Sequence, residues 1–524
     1  MMEDGQGKKV LITLLGRGAP IEFEYSNEIS LMEAMLCQGI YFSAACGGRG
    51  TCGKCKIQIL EGNLEITPED KRKLTESELR QGYRLSCRAY PVQNCTIRLA
   101  ASDEADFEVV AEPGQVQSIL ESMQDEEYGI AIDIGTTTIA VSLVGLTSRN
   151  ILHTFTTINK QRAYGADVIS RMKASNEGKK LILQESIQKD LLEGIQKVVE
   201  DTKVNKDKIK KIAIAGNTTM GHLLMGFSCE TLGIYPFTPV DISTIIRPFA
   251  QVLGSDYLNI PVVILPGIST FVGGDIMAGL YACNFDQADR PSLLIDLGTN
   301  GEMAIGNKNR ILVSSTAAGP AFEGGNISCG VGSIAGAICN INLEQDKLTY
   351  KTIGQMAPVG VCGTGVIEMT SELFKAGLVD ETGLLSEEYF DDGFEITKTT
   401  DGNAIVFTQK DIREIQLAKS AIRAGAETLI KHFGITYEDI DMVYLAGGFG
   451  YKLNLEKAVN IGLLPKELSG KLKAVGNSAL GGAIKYLLEA DATERIDGIL
   501  KGSGEIHLSN DKDFNELYIE HMFF

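Results

Sequence analysis

Four cysteines carry the most specific chemistry in this chain. Cys46, Cys52 and Cys55 are spaced C-x5-C-x2-C in a Gly-rich stretch, and Cys87 follows 31 residues after Cys55. Four thiolates are the donor set of a [2Fe–2S] cluster. Gly47, Gly48, Gly50 and Gly53 suit a loop that must adopt positive φ and bring backbone N–H groups close to sulfur. The competing reading is a structural zinc site, but such sites favour paired C-x2–4-C knuckles and only one C-x2-C pair occurs here. Cys37 and Cys95 read as packed thiols, in a helix and in a strand.

A second chemistry lies in two Asp-led turns. Asp133-Ile-Gly135-Thr136-Thr137-Thr138 sits between apolar runs, and Asp296-Leu-Gly298-Thr299-Asn300-Gly301-Glu302 repeats the design 163 residues later. Such turns offer backbone N–H groups and hydroxyls to a polyphosphate. The aspartates can hold Mg²⁺ through water. Gly447, Gly448 and Gly450, in Ala446-Gly-Gly-Phe-Gly450, let a base or ribose lie against the backbone. Asp133, Asp296 and Glu302 are the candidate catalytic carboxylates. Glu323 is a further candidate for orienting water or metal, and the residues do not rank the two glutamates. The bland alternative for all three segments is ordinary hairpin turns.

The elements that must position these groups are legible in outline. KKVLITLLG and PIEFEY read as paired strands around a turn at Gly16–Pro20, and KCKIQIL, YRLSC and CTIRLA as further strands. Ser30-Leu-Met-Glu33 is a capping box that starts a short helix. Residues 101–127 hold nine acidic residues and no Lys or Arg, the pattern of a solvated linker. Fully extended, at ~3.3 Å per residue, it would reach ~90 Å and leave the first module mobile. From 128 onward apolar strands alternate with helical stretches. Residues 409–433 form the clearest amphipathic helix, ended by Gly434. The expected division is 1–100, 101–127, 128–290 and 291–524.

The net charge of −19 argues against nucleic-acid or anionic-membrane partners. No signal peptide or run of ~18 apolar residues is evident, so a cytoplasmic location is expected. Eleven cysteines in a long chain, one dense cluster plus singles, do not read as a disulfide framework.

The cysteine spacing resembles adrenodoxin-like ferredoxins. The two Asp-led turns followed by Ala-Gly-Gly-Phe-Gly resemble the actin, sugar-kinase and heat-shock-chaperone superfamily, which implies two ribonuclease-H-like halves with ATP in the cleft between them. Together the two halves of the chain look like one family, the ATP-dependent reductive activators of corrinoid proteins. The blocks Tyr164-Gly-Ala-Asp-Val-Ile-Ser-Arg171, Gly216-Asn-Thr-Thr-Met220, Gly319-Pro-Ala-Phe-Glu-Gly324, Cys362-Gly-Thr-Gly365 and Gly476-Asn-Ser-Ala-Leu480 carry that resemblance. It implies a multidomain α+β and α/β protein: an N-terminal β-grasp [2Fe–2S] ferredoxin followed by an actin-like ATPase. It implies one electron passed from an external reductant, such as a reduced ferredoxin or a flavoprotein, through the cluster to Co(II), regenerating Co(I). The implied partner is a corrinoid/iron–sulfur protein or the corrinoid subunit of a methyltransferase; a homodimer is compatible with the family. Some members place a further domain where only 101–127 stands here. Activators of radical dehydratases or aryl-CoA reductases, and a small-molecule kinase with a regulatory cluster, are the alternatives. On bland readings, Asp167 and Arg171 pair on a helix surface, His222 is a packing histidine and Cys362 is structural.

Overall fold

A computed structural model describes all residues except 1–9, 16–19, 27, 39, 41–45, 47, 100–125, 299, 346 and 448–452. The expected linker therefore lies almost wholly outside the described residues, as do Gly47, Thr299, Gly448, Gly450 and most of the first predicted turn.

Five strands build the first module: β1 Val10–Leu15, β2 Ile21–Tyr25, β3 Lys56–Glu61, β4 Tyr83–Leu85 and β5 Cys95–Leu99, in the order β2-β1-β5-β3-β4. The first and last strands run parallel at the centre, with Ile12 opposite Cys95, and the other pairings are antiparallel. Helix Leu31–Cys37 starts where expected, because Ser30 and Glu33 close a complete capping box. Two short helices, Pro68–Lys73 and Glu76–Arg80, were not anticipated; both open on threonine capping boxes. Ile12, Leu31, Met35, Ile57, Leu85 and Ile97 fill the core.

The remainder holds two six-stranded sheets. The first comprises β6 Tyr128–Ile134, β7 Thr138–Gly145, β8 Ile151–Ile158, β9 Ile209–Gly216, β10 Ile245–Pro248 and β11 Pro261–Ile264, in the order β10-β11-β9-β6-β7-β8. The second is built on β12 Ser292–Leu297, β13 Gly301–Asn307 and β14 Arg310–Thr316. Strands β15 Ala337–Glu344, β16 Lys347–Thr352 and β17 Gly360–Val361 make a small sheet beside it, and β18 Phe394–Lys398 with β19 Ala404–Phe407 a separate hairpin. Strands β20 Val443–Ala446, β21 Leu472–Gly476 and β22 Ser503–Glu505 return to the large sheet, giving β21-β20-β12-β13-β14-β22. Both large sheets share one plan: an antiparallel meander whose first strand also pairs, in parallel, with a later strand. The internal echo in the sequence is thus a structural duplication. Strand β6 is buried along nearly its whole length, as expected of a central strand covered on both faces.

The halves meet through helices Gly274–Ala282 and Ser478–Leu488. Their contact is so close that a Cβ on Gly482 would come within 2.1 Å of the Ala278 carbonyl oxygen. Small and aliphatic residues from both sheets, including Ala131, Ala213, Leu294, Ala304 and Ala446, share this core with Ile276, Leu280, Ala479 and Ala483. Helix Gln409–Phe433 has the predicted bounds. Thr408 and Asp411 cap its start, and Gly434 takes φ +84° just past its end. Among the described residues, no helix is long and apolar enough to cross a membrane.

Candidate functional site

The cysteine loop is held from behind by side chains. Gly48, Gly50 and Gly53 all take positive φ. A Cβ on Gly50 would lie 2.6 Å from Glu69 Cγ, so this turn presses on the helix Pro68–Lys73. In that helix the buried Asp70 accepts from Leu85 N–H at 2.8 Å, which ties β4 and the following Cys87 to the same brace. The Cys55 carbonyl accepts from Ser86 N–H at 2.9 Å. Arg49 Nε donates to the Cys46 carbonyl at 2.9 Å.

The thiols gather in two pairs. Cys52 Sγ lies 3.4 Å from Cys46 Sγ. A hydrogen bond from Cys52, with N–H groups of Cys52 and Thr51, holds the Cys46 thiol down at about 4, while Cys52 is pushed up as the donor. Cys55 and Cys87 repeat the relation: Cys55 is lowered by its hydrogen bond from Cys87, and Cys87 is raised. Each pair thus presents one readily formed thiolate. Two thiol pairs in mutual electrostatic contact, in a glycine loop with N–H groups aimed at sulfur, fit a two-iron cluster. Among the described residues, no three His, Cys, Asp or Glu side chains converge on a single-ion position. Cys95 is buried and donates to the Gln93 carbonyl at 3.3 Å, in keeping with a packed thiol.

The nucleotide signatures face one another. Asp133 is the penultimate residue of β6 and Asp296 that of β12, each beside the tight turn of its hairpin. Opposite Asp133 in the register stands Ala140; opposite Asp296 stands Glu302. Asn477, the N-cap of helix Ser478–Leu488, donates from Nδ2 to Asp133 Oδ2 at 2.7 Å. Thr137 Oγ1 donates to Glu323 Oε2 at 3.3 Å, so the first turn also touches the second half. Gly447 adopts φ +113°, and a Cβ there would meet the Leu297 carbonyl oxygen at 2.6 Å and Asp296 Oδ1 at 3.2 Å. Gly447 therefore packs over the second aspartate; Gly448 and Gly450 lie outside the described residues.

Asp275 was missed by the motif reading. It follows Gly273-Gly274 at the start of helix Gly274–Ala282, and its Oδ1 accepts from Ile276 N–H at 2.8 Å. These carboxylates each keep an edge on the cleft, yet protein surrounds them closely enough that lost hydration dominates. Burial, opposed by Asn477, pushes Asp133 up to about 7. Burial plus the charges of Asp275, Asp133 and Glu323 pushes Asp296 up to about 8. Asp275 rises to about 6 and Glu302 well above its usual range. Carboxylates that repel one another in a dehydrated cleft are the oxygen-rich setting a hard divalent cation relieves. The Gly273-Gly274-Asp275 step, which opens a helix, was the signal available in the sequence.

The first turn is braced from its own half. Asn159 Nδ2 donates to the Gly135 carbonyl at 2.9 Å, and Asn217 Nδ2 to Thr136 Oγ1 at 3.0 Å. Gly135 N–H closes the hairpin onto the Thr138 carbonyl at 3.0 Å, so it is not among the N–H groups left for phosphate. Arg171 corrects the surface-pair reading. It is fully buried, donates from Nε to the Gly165 carbonyl at 2.9 Å, and donates from Nη2 to the Thr136 carbonyl. Asp167 caps its helix through Ser170 N–H at 2.7 Å. His222 is buried, with Nδ1 on the Thr218 carbonyl at 2.8 Å and Nε2 accepting from Val240 N–H at 2.9 Å. It is a satisfied neutral histidine, held low by burial. Cys362 is buried on the Ile338 carbonyl.

Three family models match consecutive stretches: a 2Fe-2S iron-sulfur cluster binding domain over 14–92, the RACo middle region over 128–288, and the C-terminal domain of RACo, the ASKHA domain, over 290–524. A corrinoid activation enzyme, RamQ, of Eubacterium limosum is 29% identical across 96% of this chain and 97% of its own length. A reductase of the Co(II) methylated amine-specific corrinoid protein from Methanosarcina barkeri is 28% identical across 75% of this chain and 76% of its own. The solved structure of a reductive activator for a corrinoid, iron-sulfur protein superposes with a TM-score of 0.71, at 29% identity and 98% coverage of both chains.

Proposed function

This chain belongs to the ATP-dependent reductive activators of corrinoid proteins, and on that premise we propose that it carries one electron from an external reductant, through a [2Fe–2S] cluster on Cys46, Cys52, Cys55 and Cys87, to the Co(II) of a corrinoid protein, yielding Co(I). The substrate would be a corrinoid/iron–sulfur protein or a methyltransferase corrinoid subunit, and the donor a reduced ferredoxin or flavoprotein. We place the module boundaries at 1–100, 101–127, 128–290 and 291–524. The cytoplasm, where thiols stay reduced, is the expected compartment.

A cluster held by these four thiolates would supply a single low-potential electron, near −400 mV for plant-type ferredoxins. Each ~59 mV by which Co(II) is harder to reduce costs a factor of ten in Co(I), so the transfer needs a second source of free energy. The cleft provides it through nucleotide. Asp133 and Asp296 would hold Mg²⁺ through its water shell, with Asp275 adding its charge nearby. Thr136 through Thr138, with Thr299 and Asn300, would contact phosphates, while the Gly135 and Gly298 N–H groups close their own turns onto the Thr138 and Asn300 carbonyls; Gly447, Gly448 and Gly450 would contact the nucleoside, and Glu302 would orient the attacking water.

What lets the two halves respond together is that two of the cleft contacts span both. Asp133 of the first half takes its hydrogen bond from Asn477 of the second, and Thr137 donates to Glu323. A ligand that draws these partners together favours the closed cleft, and only such a differential interaction can drive a shape change.

The observation that carries the reading is the coexistence, in one chain, of paired thiols in a ferredoxin fold and repelling carboxylates gathered from both halves of a duplicated cleft. The test is direct. Mixed with a Co(II) corrinoid protein and a one-electron reductant, the chain should produce the Co(I) absorption band only with ATP. Cys87→Ala should lose the native cluster spectrum and the Co(I) band but keep ATP binding. Equal Co(I) formation with and without ATP would refute the proposal.

A further inference from the structure

Helix Leu31–Cys37 faces two ways. Toward its own module it supports the cluster loop. Leu31 N–H donates to the Ala89 carbonyl at 2.9 Å, two residues beyond Cys87, and Met32 Cε would lie 3.1 Å from a Cβ on Gly48. Its Glu33 closes the capping box with Oε2, 3.0 Å from both Ser30 N and Ser30 Oγ. The other oxygen, Oε1, points across to the first ATPase half and pairs with Lys179 Nζ at 2.7 Å.

Lys179 occupies a distinctive position. It ends the short break between helices Val168–Ala174 and Lys180–Thr202, where Gly178 turns to φ +96°. Its ammonium also lies 5.7 Å from the Tyr164 ring centroid. Tyr164 adjoins Gly165, whose carbonyl accepts from Arg171, and Arg171 in turn holds the Thr136 carbonyl of the phosphate turn. Hence the residues that receive the cluster-bearing module are one hydrogen-bonded step from the residues that back the nucleotide.

We propose that Lys179 and Tyr164 form a releasable seat for the chain's own ferredoxin module, engaged through Glu33, and that Gly165 and Arg171 link this seat to the phosphate turn. The pair is roughly one-third exposed on each side. A contact of that kind shifts an equilibrium about two- to fivefold and is weakened by salt. Such weak seating suits a module that must visit both an electron donor and a corrinoid protein. Linkage is reciprocal: if the seat and the nucleotide share this segment, unseating the module must change ATP affinity by the factor with which ATP changes seating. The link, though not the seat, rests on reading 133–138 as the phosphate turn.

The experiment uses the full chain with its cluster loaded. Lys179→Glu places like charges together without touching the ferredoxin fold. It should increase the radius of gyration in solution scattering and shift the ATP dissociation constant about two- to fivefold. The exchanged pair, Glu33→Lys with Lys179→Glu, should restore both, and Glu33→Gln, which keeps a capping side chain, should behave as a milder Lys179→Glu. An unchanged radius in Lys179→Glu, or no restoration in the exchanged pair, overturns the seat. A changed radius with unchanged ATP affinity overturns the link. Failure of the wild-type chain to bind ATP at all would instead refute the assignment of the turn, and calorimetric titration shows that separately.

Discussion

The two halves of the ATPase share a five-strand core, with the sixth strand on opposite edges, but not a division of labour. In the first, Asp133 faces Ala140 across the hairpin; in the second, Asp296 faces Glu302. The first turn is rich in hydroxyls and is fastened from behind by Asn159, Asn217 and Arg171. The second is lined by carboxylates and pressed by the glycine at 447. On the proposed reading, the first hairpin would serve mainly as a braced cradle for phosphate and the second mainly as a charged face for metal and water. The shared core sets where a residue stands, and the side chains decide what it does there.

Removing the paired aspartates gives the largest expected effect. Asp133→Ala and Asp296→Ala should each lower ATP hydrolysis by at least ~100-fold, as loss of a preorganised charge at a reacting phosphate does. The cluster spectrum should remain native in both. Hydrolysis at the wild-type rate in either variant would remove that residue from the metal site and make the two halves unequal in a way the geometry does not suggest.

Glu302→Gln sharpens the contrast. It keeps the shape and removes the carboxyl that the first half lacks at the matching position. Hydrolysis should fall ~10–100-fold with little change in ATP affinity, the pattern of a group acting on the reacting water. An equal loss of affinity would assign Glu302 to binding instead.

The cradle should fail differently. Arg171→Lys keeps a positive charge but cannot reach both the Gly165 and Thr136 carbonyls in one plane. Loss of charged hydrogen bonds of this kind costs ~1.5–3 kcal/mol. The melting temperature should drop and the ATP dissociation constant rise. Weakened binding with unchanged stability would mean that Arg171 acts on the turn alone.

The smallest effect concerns a brace that belongs to the second half. Burial alone would raise Glu427, but hydrogen bonds from His521 and Arg423, with the Arg423 charge, overcome it and hold the carboxyl at about 2. His521 Nε2 lies 3.1 Å from Glu427. A folded value depressed below the ordinary 4.5 contributes stability that is present above that value. The contribution is lost as pH falls from about 4.5 toward 2. Hydrogen exchange in Gln409–Phe433 and Lys512–Glu520 should therefore quicken across this window in the wild type. In Glu427→Gln it should already be fast at neutral pH and change less.

Much of the protein is written locally. The cysteine spacing, the capping box at Ser30, the two Asp-led hairpins and the bounds of helix 409–433 depend on contacts a few residues apart, or on periodicity along one element. Sterics and short-range hydrogen bonds act there before any tertiary packing exists, so the sequence alone determined them. The thiol pairing, Asp275 as a cleft carboxylate, the Asn477–Asp133 bond across 344 residues, the Thr137–Glu323 contact and the burial of Arg171 were decided only by the tertiary structure. The reason is physical. A carboxylate rises to about 8, as Asp296 does, because surrounding chain excludes water and brings other charges near, and residues remote in sequence supply both. Local pattern placed the hairpins; only the meeting of two sheets over helices Gly274–Ala282 and Ser478–Leu488 turned them into one cleft.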